Sequence, residues 1–363
     1  MKTMEIPFIA EIVALRRDLH AHPEIAFEET RTSALIAREL ESLGLEVHRG
    51  LAKTGVVGVL RKGSSGRSIG LRADMDALAL EEKNDLPYRS QNPGRQHGCG
   101  HDGHIAILLG AARFLSLYSG RIDFDGAIHF IFQPAEEGEG GANAMISEGL
   151  FERFPMEAVF GMHNWPELPE GRIAVLSGPV MAGDCHLKIT VRGHGCHAAM
   201  PQQGVDALVA ASHLVLALQT VVSRNLPPWE SAVVSVTRMH GGSAMNIIPD
   251  EVILYGTIRS FSQKTQGAIE TAVKRICGGI GKAFGAKINA EFEHRYPPTV
   301  NCDAKASLCA RAAETTVGVE NVIRDARPST GAEDFAYMLL EKPGCYVWLG
   351  SRRADRASPL HNP

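Results

Sequence analysis

The chain has 363 residues, 44% of them hydrophobic, and a formal net charge of -4, so it is long enough for two domains with cores of their own. The near balance of charge, with no basic stripe, excludes nucleic acid as a partner, and no apolar run is long enough to predict a membrane span. Seven cysteines without framework spacing, and no signal-peptide core after Met1, point to free thiols in a reducing cytoplasm.

Residues 6–19 read as an amphipathic helix that ends at His20-Ala21-His22-Pro23-Glu24, because the residue before a proline avoids the helical region. A second helix is expected from Glu29 to Leu43, stopped by Gly44. Gly55–Leu60 and Ser68–Ala73 read as buried strands. The second of these runs into Asp74 and Asp76, two carboxylates at a strand's carboxyl end, where open α/β sheets build their sites. Next comes His97-Gly98-Cys99-Gly100-His101-Asp102-Gly103-His104, with three His, one Cys and one Asp in eight residues. Thiolate, imidazole and carboxylate are the donors of a borderline-soft divalent metal, and the glycines let the backbone bring them to one point. An apolar helical pattern follows from Ile105, with Asp102 placed to cap it. A turn plus helix cap is the plainer reading of the same stretch.

Ala127–Phe132 is the next expected strand, ending at Gln133-Pro134-Ala135-Glu136-Glu137-Gly138. Neighbouring glutamates point in different directions, so one can bind metal while the other serves as a base, although an exposed acidic loop also fits. A further strand, Ala158–Met162, ends in His163, which reads as a ligand or as a core histidine beside Trp165. From Asp184 to Tyr296 the order is strand, helix, strand, strand, helix, strand. The strands lie near 184–192, 232–239, 251–260 and 287–295, the helices near 205–223 and 263–284. This is the split βαβ order of a ferredoxin-like α+β module, inserted into a larger α/β domain. The layout is therefore 1–180 for the first domain, 181–296 for the insert and 297–363 for the return. The insert carries His194, His197, Asn246 and Arg259, with His197 in a flexible turn and Arg259 either a solvated edge charge or a fork for a carboxylate. Gly331–Tyr337 is expected to open a helix with acidic residues in its first turn, and Cys345–Gly350 to form a last strand. His361, by position alone, reads as a tail residue.

Taken together, these motifs resemble the M20 metallopeptidase family in its amidohydrolase branch, the group of hippurate hydrolases, N-acyl-amino-acid hydrolases and auxin-conjugate hydrolases. The resemblance spans nearly the whole chain. It rests on residues 17–24, 71–78, 98–104, 133–138, 161–164, 193–201, 242–249, 256–261, 331–335 and 360–363. It implies a zinc-exopeptidase-like catalytic domain, a mixed sheet flanked by helices, with the insert as a lid and dimerisation domain. It implies two divalent metal ions per chain, zinc, manganese, cobalt or nickel, held by Cys99, His101, Glu137, His163 and His361. Glu136 would be the general base and Asp76 the residue that orients the site. His197 would act across a homodimer, or within a tetramer, in the partner's site. Asn246 and Arg259 would hold the substrate, whose carboxylate meets Arg259 or backbone near Gly331.

The expected reaction is metal-dependent hydrolysis of an N-acyl amino acid, hippurate-like or N-acetylated, to a carboxylic acid and a free amino acid. A dipeptidase or deacetylase of the same fold is an alternative, as is a non-catalytic binder of amino-acid conjugates. A thiol enzyme pairing Cys99 with His101 fits less well, because residues two apart and spaced by glycine suit a shared metal better. The sequence departs from the family pattern in two places. It ends at Pro363, where family members continue, which implies incomplete support for His361. It also has Gly98 before Cys99, where relatives often carry another small or apolar residue, with little effect expected.

Overall fold

The N-terminal apolar spacing forms α1 (Ile9–Ala21) and α2 (Thr30–Ser42) in a computed structural model that describes residues 6–353 and 360–362. The strands β1 (Glu46–Leu51), β2 (Gly55–Lys62) and β3 (Ser68–Asp74) follow, then α3 (His101–Leu117), β4 (Gly126–Gln133) and β5 (Ala158–Pro169). The inserted module holds β6 (Gly183–Arg192), α4 (Ala207–Leu218), β7 (Ala232–His240), β8 (Glu251–Ser260), α5 (Gln263–Phe284) and β9 (Lys287–Tyr296). The chain then forms α6 (Asp303–Val317), α7 (Phe335–Glu341) and β10 (Gly344–Arg352).

Two compact units result. One comprises 1–178, 300–327 and 334–363, and the other 179–299 with 328–333. In the first unit an eight-stranded sheet runs β1-β2-β4-β3-β5-β10, extended by Ile173–Ala174 and Val322–Ile323. β3 is parallel to β4 and β5, and β5 to β10, whereas β1 and β2 are antiparallel. Parallel neighbours need a crossover, and α3 supplies the one from β3 to β4. Residues 55–59 at the start of β2 are buried throughout, as befits a strand covered on both faces. Leu19, Ile36, Leu40, Ile105, Phe130 and Phe132 form its core, each contributing about 1.5–3 kcal/mol relative to exposure.

In the second unit the sheet order is β7-β8-β6-β9 with all neighbours antiparallel, the ferredoxin-like arrangement. One face packs on α4 and α5 through Leu187, Ile189, Leu214, Leu254, Ile269 and Val273. Asp206 accepts from the N–H groups of Leu208 and Val209 and so caps α4.

Several local expectations need correction. Asp102 does not cap α3. The cap position is Gly100, and Asp102 lies inside the first turn, held by Arg16 and His20 at 2.8 Å each. β5 does not stop at His163, because β10 pairs alongside it as far as Trp165 and beyond, so His163 sits within the strand. The helix expected over 205–223 is two helices, Ala207–Leu218 and Thr220–Asn225. His197 belongs to a two-residue strand paired with Ile247–Ile248 rather than to a flexible turn. Arg259 is on β8, which is paired on both sides and is not an edge. Glu333 and Asp334 precede α7 and are buried, not exposed acids of a first turn.

Candidate metal centre

The site of the first unit is assembled from the segments after β3 and β4, the interior of β5, the start of α3 and the turn at His361. Gly100 turns the chain with φ 88°, a left-handed conformation, and a Cβ there would lie 2.3 Å from Asn164 Oδ1, so only glycine fits. That turn delivers Cys99 and His101 together. The donor atoms of Cys99, His101 and His163 all lie within 4.8 Å of one another, as do those of Cys99, Glu137 and His361, and those of His101, Glu136 and Glu137. The three triplets share members, as two adjacent ions would require. Individual separations are 3.4 Å for Cys99 Sγ to His163 Nε2, 3.9 Å for His101 Nε2 to Glu137 Oε1, and 3.2 Å for His361 Nε2 to Glu137 Oε1.

Hydrogen bonds select which nitrogens are available. His101 Nδ1 donates to the Asp76 carbonyl at 2.9 Å, with Asp76 Oδ1 at 3.3 Å, leaving Nε2 as the donor atom toward a metal. His163 Nδ1 donates to the Asn164 carbonyl at 2.6 Å, again leaving Nε2. Asp76 Oδ2 accepts from the Glu137 N–H at 2.9 Å, so one carboxylate contacts both the His101 ring and the Glu137 backbone. Glu136 Oε1 accepts from the Asp334 N–H at 3.4 Å. The segment with His361 is tied back by its N–H, which donates to the Gly98 carbonyl at 3.0 Å.

The donor set fits a divalent metal on a direct observation: His101 Nε2 is buried with no hydrogen-bond partner, and Glu137 Oε1, 3.9 Å from it, is met by the His361 ring at 3.2 Å. A buried polar atom left unmet costs about 1–3 kcal/mol, and a cation between His101 Nε2 and Glu137 Oε1 would meet the first and share the second. The electrostatics are those of a charged site. Burial pushes His163 down to about 3. Burial also works against the charged form of His101, but Asp74 and Cys99 beside it outweigh this and hold the ring well above its ordinary value. Contacts with Cys99 and Glu137 lift His361 to about 10.

Around these groups lies a buried network that the sequence reading passed over. Arg72 donates to Asp74 at 2.8 Å, to Asp334 at 3.0 Å and to Gln133 at 2.7 Å, and Gln133 in turn donates to Asp334 at 2.8 Å. His104 donates from Nδ1 to Asp74 at 2.6 Å and accepts at Nε2 from the Asn164 N–H at 2.9 Å, so both its nitrogens are occupied and it is not a ligand. The available signal was the spacing of Arg72 and Asp74, two apart on a strand and therefore on one face.

His197, Asn246, Arg259 and Gly331 all belong to the second unit. His197 is exposed, and its Nδ1 accepts from the Ala199 N–H at 3.1 Å. The Asn246 carbonyl accepts from the Ala198 N–H at 2.9 Å. Arg259 pairs with Asp184 at 3.3 Å, and the Gly331 N–H donates to Ser329 Oγ at 3.0 Å.

The comparisons with known proteins point to one family. Residues 70–363 match the description Peptidase family M20/M25/M40. The chain is 41% identical over 339 residues to the hippurate hydrolase of Campylobacter jejuni, covering 93% of this chain and 88% of that protein. It is 39% identical over 353 residues to the N-acetyl-L-cysteine deacetylase of Bacillus subtilis, covering 97% and 82%. The crystal structure of a dinuclear metal binding peptidase of the M20 family from Bacillus subtilis matches with a TM-score of 0.86 at 33% identity, over 99% of this chain and 92% of that one. With the family match over residues 70–363 and these likenesses in accord, the chain belongs to peptidase family M20/M25/M40.

Proposed function

We propose that the protein is a metal-dependent amidohydrolase that cleaves N-acyl amino acids, hippurate-like or N-acetylated, to a carboxylic acid and a free amino acid. The observation that carries this is the buried, unpartnered His101 Nε2, facing Glu137 Oε1 and flanked by Cys99, His163, His361 and the adjacent Glu136. Relatives named hippurate hydrolase and N-acetyl-L-cysteine deacetylase support the substrate class.

Cys99, His101, Glu137, His163 and His361 would hold two divalent ions. When bound, these supply Lewis-acid polarisation of the amide carbonyl and acidify water. Glu136 takes the proton of the attacking water on its carboxylate and returns it to the departing amine. The Asp334 N–H holds one Glu136 oxygen and so aims the other. Asp76 keeps His101 in the tautomer with Nε2 free. His197 uses Nε2–H, because its Nδ1 is engaged by Ala199, to steady the developing oxyanion in the partner's site of a homodimer. Asn246 holds the amide end of the substrate. The Gly331 N–H is already given to Ser329, which favours the Arg259 guanidinium over the backbone there for the substrate carboxylate. The second unit then serves as lid and dimer contact. Seven free cysteines fit a cytoplasmic setting, and among the described residues no helix is long and apolar enough to cross a membrane.

The test is metal content together with hydrolysis of a panel from N-acetyl to N-benzoyl amino acids, with a free dipeptide as control, before and after chelation. About two metals per chain and chelator-sensitive cleavage of the acylated compounds support the reading. Metal without cleavage points to a binding role, and preference for the free dipeptide points to a dipeptidase.

A further inference from the structure

A second set of metal-type donors lies wholly within the inserted unit. Cys185 on β6 and His294 on β9 are register partners, so their side chains share one face of the sheet. Glu270 on α5 meets them there. The Cys185 sulfur, a His294 ring nitrogen and a Glu270 carboxylate oxygen all lie within 4.8 Å of one another, with His294 Nε2 3.3 Å from Glu270 Oε1. We propose that Cys185, Glu270 and His294 form a binding site for one borderline-soft divalent cation of the zinc class, which clamps the edge strand β9 to β6 and α5.

Thiolate, imidazole and carboxylate are the three protein donors that zinc takes, and bonds of roughly 2.0–2.3 Å in a tetrahedron put donor atoms about 3.3–3.8 Å apart. The observed spacing needs only small side-chain movement to reach that. The carboxylate is pre-oriented, since Gln266 Nε2 donates to Glu270 Oε1 at 3.1 Å and Gln266 itself accepts from Ser260 Oγ at 3.2 Å. Burial is graded across the three: Cys185 is in the core, while the His294 side chain is 61% exposed. The site therefore has an anchored inner ligand, an entry path from solvent and room for water at a fourth position. The thiol is held protonated by burial and by the nearby carboxylates of Glu270 and Asp184, which lift it to about 11. A cation reverses that balance: the S–H proton goes to solvent as the metal–sulfur bond forms, one proton per ion bound. A plain Glu270–His294 ion pair accounts for two of the three groups, and the Cys185 thiol donates to the His186 carbonyl at 3.6 Å; the convergence of all three donor atoms is what carries the proposal.

The experiment compares the intact wild-type chain with His294→Gln and Cys185→Ser, each stripped with chelator and reloaded with cadmium-113. His294 is exposed, so its variant folds whether or not the buried Cys185→Ser change is tolerated. The expected result is one cadmium fewer per chain in His294→Gln and the loss of one sulfur-ligated resonance, the others keeping their positions. The unfolding midpoint of the stripped wild type also rises with added zinc by several degrees more than that of the variant. Equal cadmium content and identical spectra in wild type and His294→Gln overturn the proposal. The readout is a count of ions and resonances, so it is independent of whether the Cys99 centre hydrolyses amides.

Discussion

The first unit sets most of its chemical groups where water is scarce: Asp74, His101, Asp334 and Glu136 are all buried and hydrogen-bonded by their neighbours, with His361, its side chain 53% exposed, the exception. The second unit does the reverse. His197, Asn246 and Gly331 are exposed, and the Arg259 side chain, 26% exposed, is met by one carboxylate. Buried donors are preorganised and cannot reorient cheaply, which suits groups that hold metal and move a proton. Exposed groups stay adjustable, which suits capture of a substrate that must enter and leave. The difference predicts that variants in the first unit act on turnover, metal and stability, and those of the substrate-holding groups Asn246 and Arg259 in the second on KM, whereas His197, proposed to steady the oxyanion, acts on kcat.

The largest effect is expected for Glu136→Ala, with turnover down about 10⁴-fold and metal content unchanged by elemental analysis. Near-normal turnover would remove Glu136 from the role of base. Arg72→Met should come next. It leaves Asp74 and Asp334 buried without their cation and is expected to destabilise the fold by about 3–5 kcal/mol in urea titrations. An unchanged urea midpoint would mean that the network is not what holds the site.

Asp76→Ala tests the orienting hydrogen bonds more finely. Metal affinity by chelator competition should fall about 10–100-fold, and equal affinity would dismiss the positioning argument. Arg259→Lys keeps the charge but loses the fork. KM for an N-acyl amino acid should rise roughly tenfold with kcat nearly kept, and a fall in kcat alone would break the proposed division between the two units.

The smallest effect concerns pH. Burial and the charges of Arg61 and His48 push His129 from 6.5 down to about 4. The folded state thus prefers the neutral ring: stability is intact above about pH 6.5 and declines as pH falls toward 4. His129→Gln should recover about 1 kcal/mol at pH 5 and nothing at pH 8. Parallel pH profiles for variant and wild type would exclude the imidazole as the source.

Adjacency explains what could be seen without coordinates. Cys99 with His101, and Glu136 with Glu137, stand out because their spacing is short and each pair abuts an apolar helix or strand. Arg72 and Asp334 did not, since they are 262 positions apart and each alone is an ordinary charged residue. His104 and Asn164 were hidden for a different reason. His104 looks like a ligand by type, and only its bonds to Asp74 and to Asn164, 60 positions away, show that it is spent on structure.

The sequence by itself determined the kinds of element and the kinds of donor: periodicity is local, and residue type dictates which atoms can bind a metal or carry a proton. The tertiary structure decided which of those atoms are left to do so. Whether His163 ends a strand or lies within one depends on β10, nearly two hundred positions away along the chain, and whether His101 presents Nδ1 or Nε2 depends on the carbonyl of Asp76. Register and burial are properties of the packed sheet, because an imidazole's free nitrogen is the one its neighbours do not claim.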